Sequence, residues 1–69
     1  MSFDKEVLAS NIRAERARKD LKLAELAQQA GISVTSLAAY EAGTCIPGAD
    51  KLYALGEALD VRPDVLLGF

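Results

Sequence analysis

The chain has no histidine, a single cysteine at Cys45, and ten carboxylates scattered over positions that fall on helix surfaces. General acid–base catalysis, a Cys/His nucleophile and a His/Cys metal site all need clusters this sequence does not spell, and no glycine-rich loop is present to cradle a phosphate. The expectation is therefore no enzyme, no metal and no cofactor. With no histidine or second cysteine to activate or resolve it, Cys45 reads as an incidental free thiol. What remains is the chemistry of recognition. Hydroxyls at Ser33, Thr35 and Ser36 stand among the methyl-bearing Val34, Ala38 and Ala39. Upstream, Arg13, Arg16, Arg18, Lys19 and Lys22 face only Glu15 and Asp20. Hydroxyls bond to polar edges, methyls pack on apolar ones, and clustered cations attract anions, provided a rigid element presents them together.

The element is written in residues 30–41, Ala-Gly-Ile-Ser-Val-Thr-Ser-Leu-Ala-Ala-Tyr-Glu. Ala27 allows close approach of a second helix, and Gly31 suits a left-handed helix end. Ser33 stands where an N-cap is wanted, and Leu26, Ile32, Leu37 and Tyr40 form an inward stripe. This is a helix-turn-helix pattern, with Val34, Thr35, Ala38 and Ala39 on the outward face of its second helix.

The remaining elements follow from the same signals. Val7, Leu8 and Ile12 recur at helical spacing, predicting an amphipathic helix from Phe3 to about Arg18, capped by Ser2 or Asp4. A second helix is predicted over Leu23 to Ala30, a third from about Val34 to Ala42 closed by Gly43, and a fourth from roughly Ala49 to Leu59. The fourth turns Leu52, Leu55, Ala58 and Leu59 inward with Tyr53 flanking. A short fifth starts at Pro63, well placed at a first helical position, and ends before Gly68. Nothing reads as a strand. The fold class is all-α, a compact bundle of five short helices forming one domain over residues 1–69.

Composition sets the setting. At 69 residues and 51% hydrophobic, a chain of this size buries only about 60% of its unfolded surface and needs that apolar content. One cysteine forms no internal disulfide, and there is neither an apolar run long enough for a bilayer nor a leader, so a cytoplasmic protein with no membrane partner is expected. Net charge is −2, which on average disfavours a nucleic-acid partner. The distribution matters more. The cations gather between Arg13 and Lys22, whereas from Asp50 onward Asp50, Glu57, Asp60 and Asp64 outnumber Lys51 and Arg62.

Taken together, Ile12 and Arg16, the run Leu21-Lys-Leu-Ala-Glu-Leu-Ala27, Gly31-Ile-Ser33, Leu37, Tyr40-Glu-Ala-Gly43, Pro47, and Leu52 followed by Ala58-Leu-Asp-Val61 resemble the lambda-repressor-like domains, also called XRE or Cro/cI type. The resemblance covers about residues 8–67. It implies a transcription regulator, a repressor, that binds double-stranded DNA as a homodimer on a palindrome, with the third helix in the major groove. Base contacts would fall to Val34, Thr35, Ser36, Ala38 and Ala39. Phosphate contacts would fall to Arg13, Lys22, Thr44 and the N–H groups opening the second helix at Leu23. The resemblance also implies a structural ion pair between Arg16 and Glu41, and a dimer contact at the C-terminal end through Leu67 and Phe69.

The departures from the family pattern fall on the DNA-facing positions. Leu23 stands where the family often carries glutamine, and Val34, Thr35, Ala38 and Ala39 stand where glutamine, arginine or asparagine is common. Thr44, Cys45 and Ile46 replace loop cations, and Ala42 replaces a frequent asparagine. The alternative reading is a protein-interaction or dimerisation module of the same fold whose DNA contact is weak or lost.

Overall fold

A computed structural model describes residues 3–69. Five helices follow in order: α1 (Lys5–Arg18), α2 (Leu23–Ala30), α3 (Val34–Ala42), α4 (Ala49–Leu59) and α5 (Pro63–Leu67). No strand occurs among the described residues. The all-α, five-helix expectation holds, with the boundaries of α2 to α5 where sequence placed them. Only α1 starts late, at Lys5 rather than Phe3, because Asp4 takes the cap: its carboxylate accepts from the N–H groups of Glu6 (2.9 Å) and Val7 (3.4 Å). The other candidate cap, Ser2, lies outside the described residues.

The helices end in a shared way. At Asp20, Gly31, Gly43 and Asp60 the chain enters the left-handed region, and the next residue reaches back five positions to a helix carbonyl. These bonds run from Leu21 to Arg16, Ile32 to Ala27, Thr44 to Ala39 and Val61 to Gly56, at 2.9–3.1 Å. Each closes a Schellman-type turn, which satisfies carbonyls that the helix leaves open and drops the following side chain onto the core. Leu21, Ile32 and Val61 do pack there. Gly31, at φ +70°, joins α2 to α3 at no Cβ cost.

Leu8, Ile12, Leu26, Ala27, Leu37, Tyr40, Leu55, Leu59 and Leu66 make one core. Tyr40 is inside, as its spacing from Leu37 required. Val7, read as part of the inward stripe of α1, is instead exposed, and Ala9 is buried in its place. The reason is tertiary: α5 returns against α1, and Val7 lies beside Gly68 at the margin of that contact. α3 packs on α1 and α2, α2 also on α4, and α5 on both α1 and α4. One side of α3 is thus left uncovered.

Candidate nucleic-acid interface

What orients α3 is a set of hydrogen bonds from α1. Arg16 grips Glu41 with two parallel bonds, Nε to Oε2 at 2.7 Å and Nη2 to Oε1 at 3.0 Å, and its Nη1 donates to the carbonyl of Leu21 at 2.9 Å. The Glu41 side chain is 7% exposed and that of Arg16 25%. The hydrogen bond to Glu41 raises the guanidinium above its ordinary pKa, against the opposing effect of burial. The pair ties α1 to the last turn of α3 and takes Arg16 out of the surface charge, as its sequence position implied.

The other arginines of the basic stretch are also engaged. Nη1 of Arg13 donates to the backbone carbonyl of Glu41, and Nε of Arg18 donates to Glu15 at 2.7 Å. Among the described residues no ion pair involves Lys5, Lys19 or Lys22. The charge of the basic patch read from sequence that has no carboxylate partner is thus that of Lys19, of Lys22 at the threshold of α2, and of Arg13, whose bond is to a neutral carbonyl.

The start of α2 has the geometry of an anion site. Its first N–H groups, at Leu23, Ala24 and Glu25, have no acceptor within the chain. Aligned N–H groups at a helix start favour negative charge. Glu25 tempers this, because its Oε1 accepts from the N–H of Lys22 at 2.7 Å and brings a carboxylate to the same turn. That half of a capping box was readable from the glutamate three residues after Lys22, and the sequence reading passed over it.

On α3, Ser33 caps as expected. Its Oγ accepts from the N–H of Ser36 at 3.0 Å and donates to the Ser36 hydroxyl at 2.9 Å. Val34, Thr35 and Ala38 are exposed, whereas Ser36 and Ala39 are half-buried. The five residues expected at bases therefore divide into three that face solvent and two that are partly withdrawn, Ser36 being held by Ser33. Ala42, one turn beyond Ala38, extends the exposed stripe; sequence counted it among the DNA-facing departures but not among the base contacts. No side chain on this face carries charge.

Thr44 makes a bond within the fold that its sequence position did not announce. Its hydroxyl donates to the carbonyl of Ala39 at 3.2 Å, so its proton serves the end of α3 and not an outside acceptor. A threonine one residue past a left-handed glycine sits within reach of the open carbonyls, and this local bond wins. Cys45 and Ile46 are exposed in the loop that follows.

At the far end, Leu67 is partly buried against the core, while Phe69 is 55% exposed. The two residues expected to make a dimer contact thus play unequal parts. Phe69 shares its end of the molecule with exposed Val65 on α5 and exposed Val7 on α1. Asn11, which sequence reasoning passed over, fixes this end by donating from Nδ2 to the carbonyls of Leu66 (3.0 Å) and Val65 (3.3 Å).

Comparison with known proteins agrees with this geometry. The family model HTH_3, described as Helix-turn-helix, matches residues 12–66. No curated protein matches by sequence. Among solved structures, the P22 c2 repressor in complex with the synthetic operator 9T is similar at 32% identity and a TM-score of 0.83, covering 87% of this chain and 91% of the repressor chain. The hypothetical transcription factor NHTF from Neisseria is 28% identical with a TM-score of 0.87, over 97% of this chain and 83% of its own. The restriction-modification controller protein C.AhdI from Aeromonas hydrophila is 25% identical with a TM-score of 0.88, over 91% and 96%.

Proposed function

The chain belongs to the helix-turn-helix family HTH_3, of the Cro/cI type, whose fold is that of DNA-binding transcription regulators, and from that membership we propose that it is a sequence-selective repressor binding a palindromic operator as a homodimer. The observation that carries this reading is the uncovered stripe Val34, Thr35, Ala38 and Ala42 on α3, standing beside an α2 whose first N–H groups lack acceptors. A stripe with those properties fits the major groove, with the helix start against a phosphate. The operator complex of the P22 c2 repressor, a structural relative, supports the same arrangement.

In this reading the methyls of Val34, Ala38 and Ala39 meet thymine methyls, and the hydroxyls of Thr35 and Ser36 meet base edges. Lys22 and the N–H groups from Leu23 onward hold the phosphate backbone. Thr44 reaches a phosphate only by releasing Ala39. With no bidentate side chain on α3, each base forgoes the roughly 1–3 kcal/mol of discrimination that such a contact supplies, so more of the selectivity rests on groove shape. With DNA as partner the reading keeps the cytoplasmic location expected from sequence, and no catalytic role is assigned.

A second reading, a protein-interaction module of the same fold, draws on one observation: neither α3 nor the segment Thr44–Gly48 carries a cation. Ala38→Arg separates the two. On the DNA reading, this variant changes the duplex sequence preferred in selection from a random pool; on the interaction reading, duplex preference stays as it was.

A further inference from the structure

We propose that Arg13 is the C-terminal clamp of α3, a positioning residue that fixes the angle of the exposed stripe and does not itself bind phosphate. The inference rests on the DNA-binding reading for its consequence and on hydrogen-bond accounting for its substance. A helix leaves its last four carbonyls without partners inside the helix. At the end of α3, the carbonyl of Ala39 accepts from the N–H and hydroxyl of Thr44, and that of Tyr40 accepts from the N–H of Gly43. The carbonyl of Glu41 is next in line, and the acceptor site there is filled by Nη1 of Arg13, twenty-eight residues away in sequence.

Charge points the same way. A helix C-terminus favours a cation, yet α3 has no basic residue in its last turn. Both cations it receives come from α1, one turn apart: Arg16 on the Glu41 carboxylate and Arg13 on the Glu41 carbonyl. One residue of α3 is thus held at side chain and backbone by two guanidinium groups on a single rigid helix. The buried Leu37 and Tyr40 set the face that α3 turns inward, and the two guanidinium groups pin its last turn against α1. Arg13 lines an open cleft between α1 and the end of α3 together with Lys5, Glu6, Ala9, Ala42 and Gly43.

The test uses the full chain with Arg13→Met, which keeps the aliphatic stem, and Arg13→Lys, which keeps the charge but not the fork. Amide hydrogen exchange is measured on each free protein, and anisotropy is measured against the best duplex selected from a random pool by the unaltered protein, over a salt series. The clamp predicts faster exchange at Gly43 and Thr44 in Arg13→Met with α4 unchanged. It also predicts affinity lower by about tenfold, the order of one charge-assisted hydrogen bond, at an unaltered salt slope. Arg13→Lys should not restore that affinity. A phosphate ligand instead predicts a slope shallower by about one unit in Arg13→Met and recovery in Arg13→Lys, and either result overturns the clamp. Unchanged exchange at Gly43 and Thr44 overturns it too. If the unaltered protein selects no duplex, the functional reading fails, and the exchange data alone decide Arg13.

Discussion

Glu41 concentrates more of the fold than any other polar residue. It is buried, its carboxylate takes two bonds from Arg16, and its carbonyl takes one from Arg13. Glu41→Gln leaves the Arg16 guanidinium partly buried opposite a neutral amide, and unfolding free energy should fall by about 3 kcal/mol, the lower end for a broken buried pair because Arg16 retains some water contact. In a domain this small, that lowers Tm by more than about 10 °C, measurable by circular dichroism. The pH dependence has a definite sign. A guanidinium whose pKa rises on folding contributes fully below its unfolded pKa and loses that contribution only as pH rises through the folded value, so the arginine side of the pair is constant across neutral and mildly alkaline pH. Arg16 and Glu41 were legible in sequence because their positions match a family pattern. Arg13 and Asn11 were not, since both bond to backbone carbonyls, and a carbonyl has no residue identity to pair with. The bond from Thr44 to the carbonyl of Ala39 was illegible for the same reason.

At the scale of elements, the sequence marked where helices begin and end more clearly than what their faces do. Ser33, Pro63, Gly31, Gly43 and Gly68 each carry a local backbone demand, and the observed boundaries of α2 to α5 follow them. Two helix ends lack such a marker. Asp20 and Asp60 adopt φ of 56° and 58°, a conformation that costs a side-chain-bearing residue about 1–2 kcal/mol, less for aspartate. Among the described residues neither carboxylate accepts from the adjacent backbone, whose N–H groups at Leu21 and Val61 bond instead to the carbonyls of Arg16 and Gly56. Asp60→Gly should therefore stabilise the fold by roughly 0.5–1 kcal/mol, seen as a rise in urea midpoint at unchanged m-value; a lower midpoint would show that the aspartate contributes something the turn geometry does not reveal. Faces were harder to read. Val7 and Ala39 depend on how closely α5 and the segment after α3 fold back, which is decided by tertiary packing and not by helical period.

For the whole molecule, the two ends are unlike. α3 and the start of α2 offer polar and methyl groups, whereas Phe69, Val65 and Val7 expose apolar surface at the α1–α5 end. A two-fold contact through that end is the proposed dimer. The molecule measures 32 × 22 × 20 Å, a size that lets two copies sit side by side with their α3 helices about 34 Å apart, one turn of DNA. Phe69→Ser removes the most exposed aromatic of the patch and should shift sedimentation of a high-micromolar sample toward monomer while leaving Tm nearly unchanged, because Phe69 is not part of the core. A sample of the unaltered protein that is monomeric both free and with DNA contradicts the dimer.

Insertion of α3 into the major groove of a chosen DNA sequence is the core of the proposed function. Its most direct test is fluorescence anisotropy of the purified protein against duplexes enriched from a random pool, repeated over a salt series. Groove insertion predicts enrichment of a palindrome and a linear fall of log affinity with log salt. The slope should be shallow, since Lys22 is the cation assigned to phosphate, Arg16 and Arg18 are ion-paired within the fold, and Arg13 is bonded to the end of α3. No binding at low salt, with helical circular dichroism intact, contradicts it.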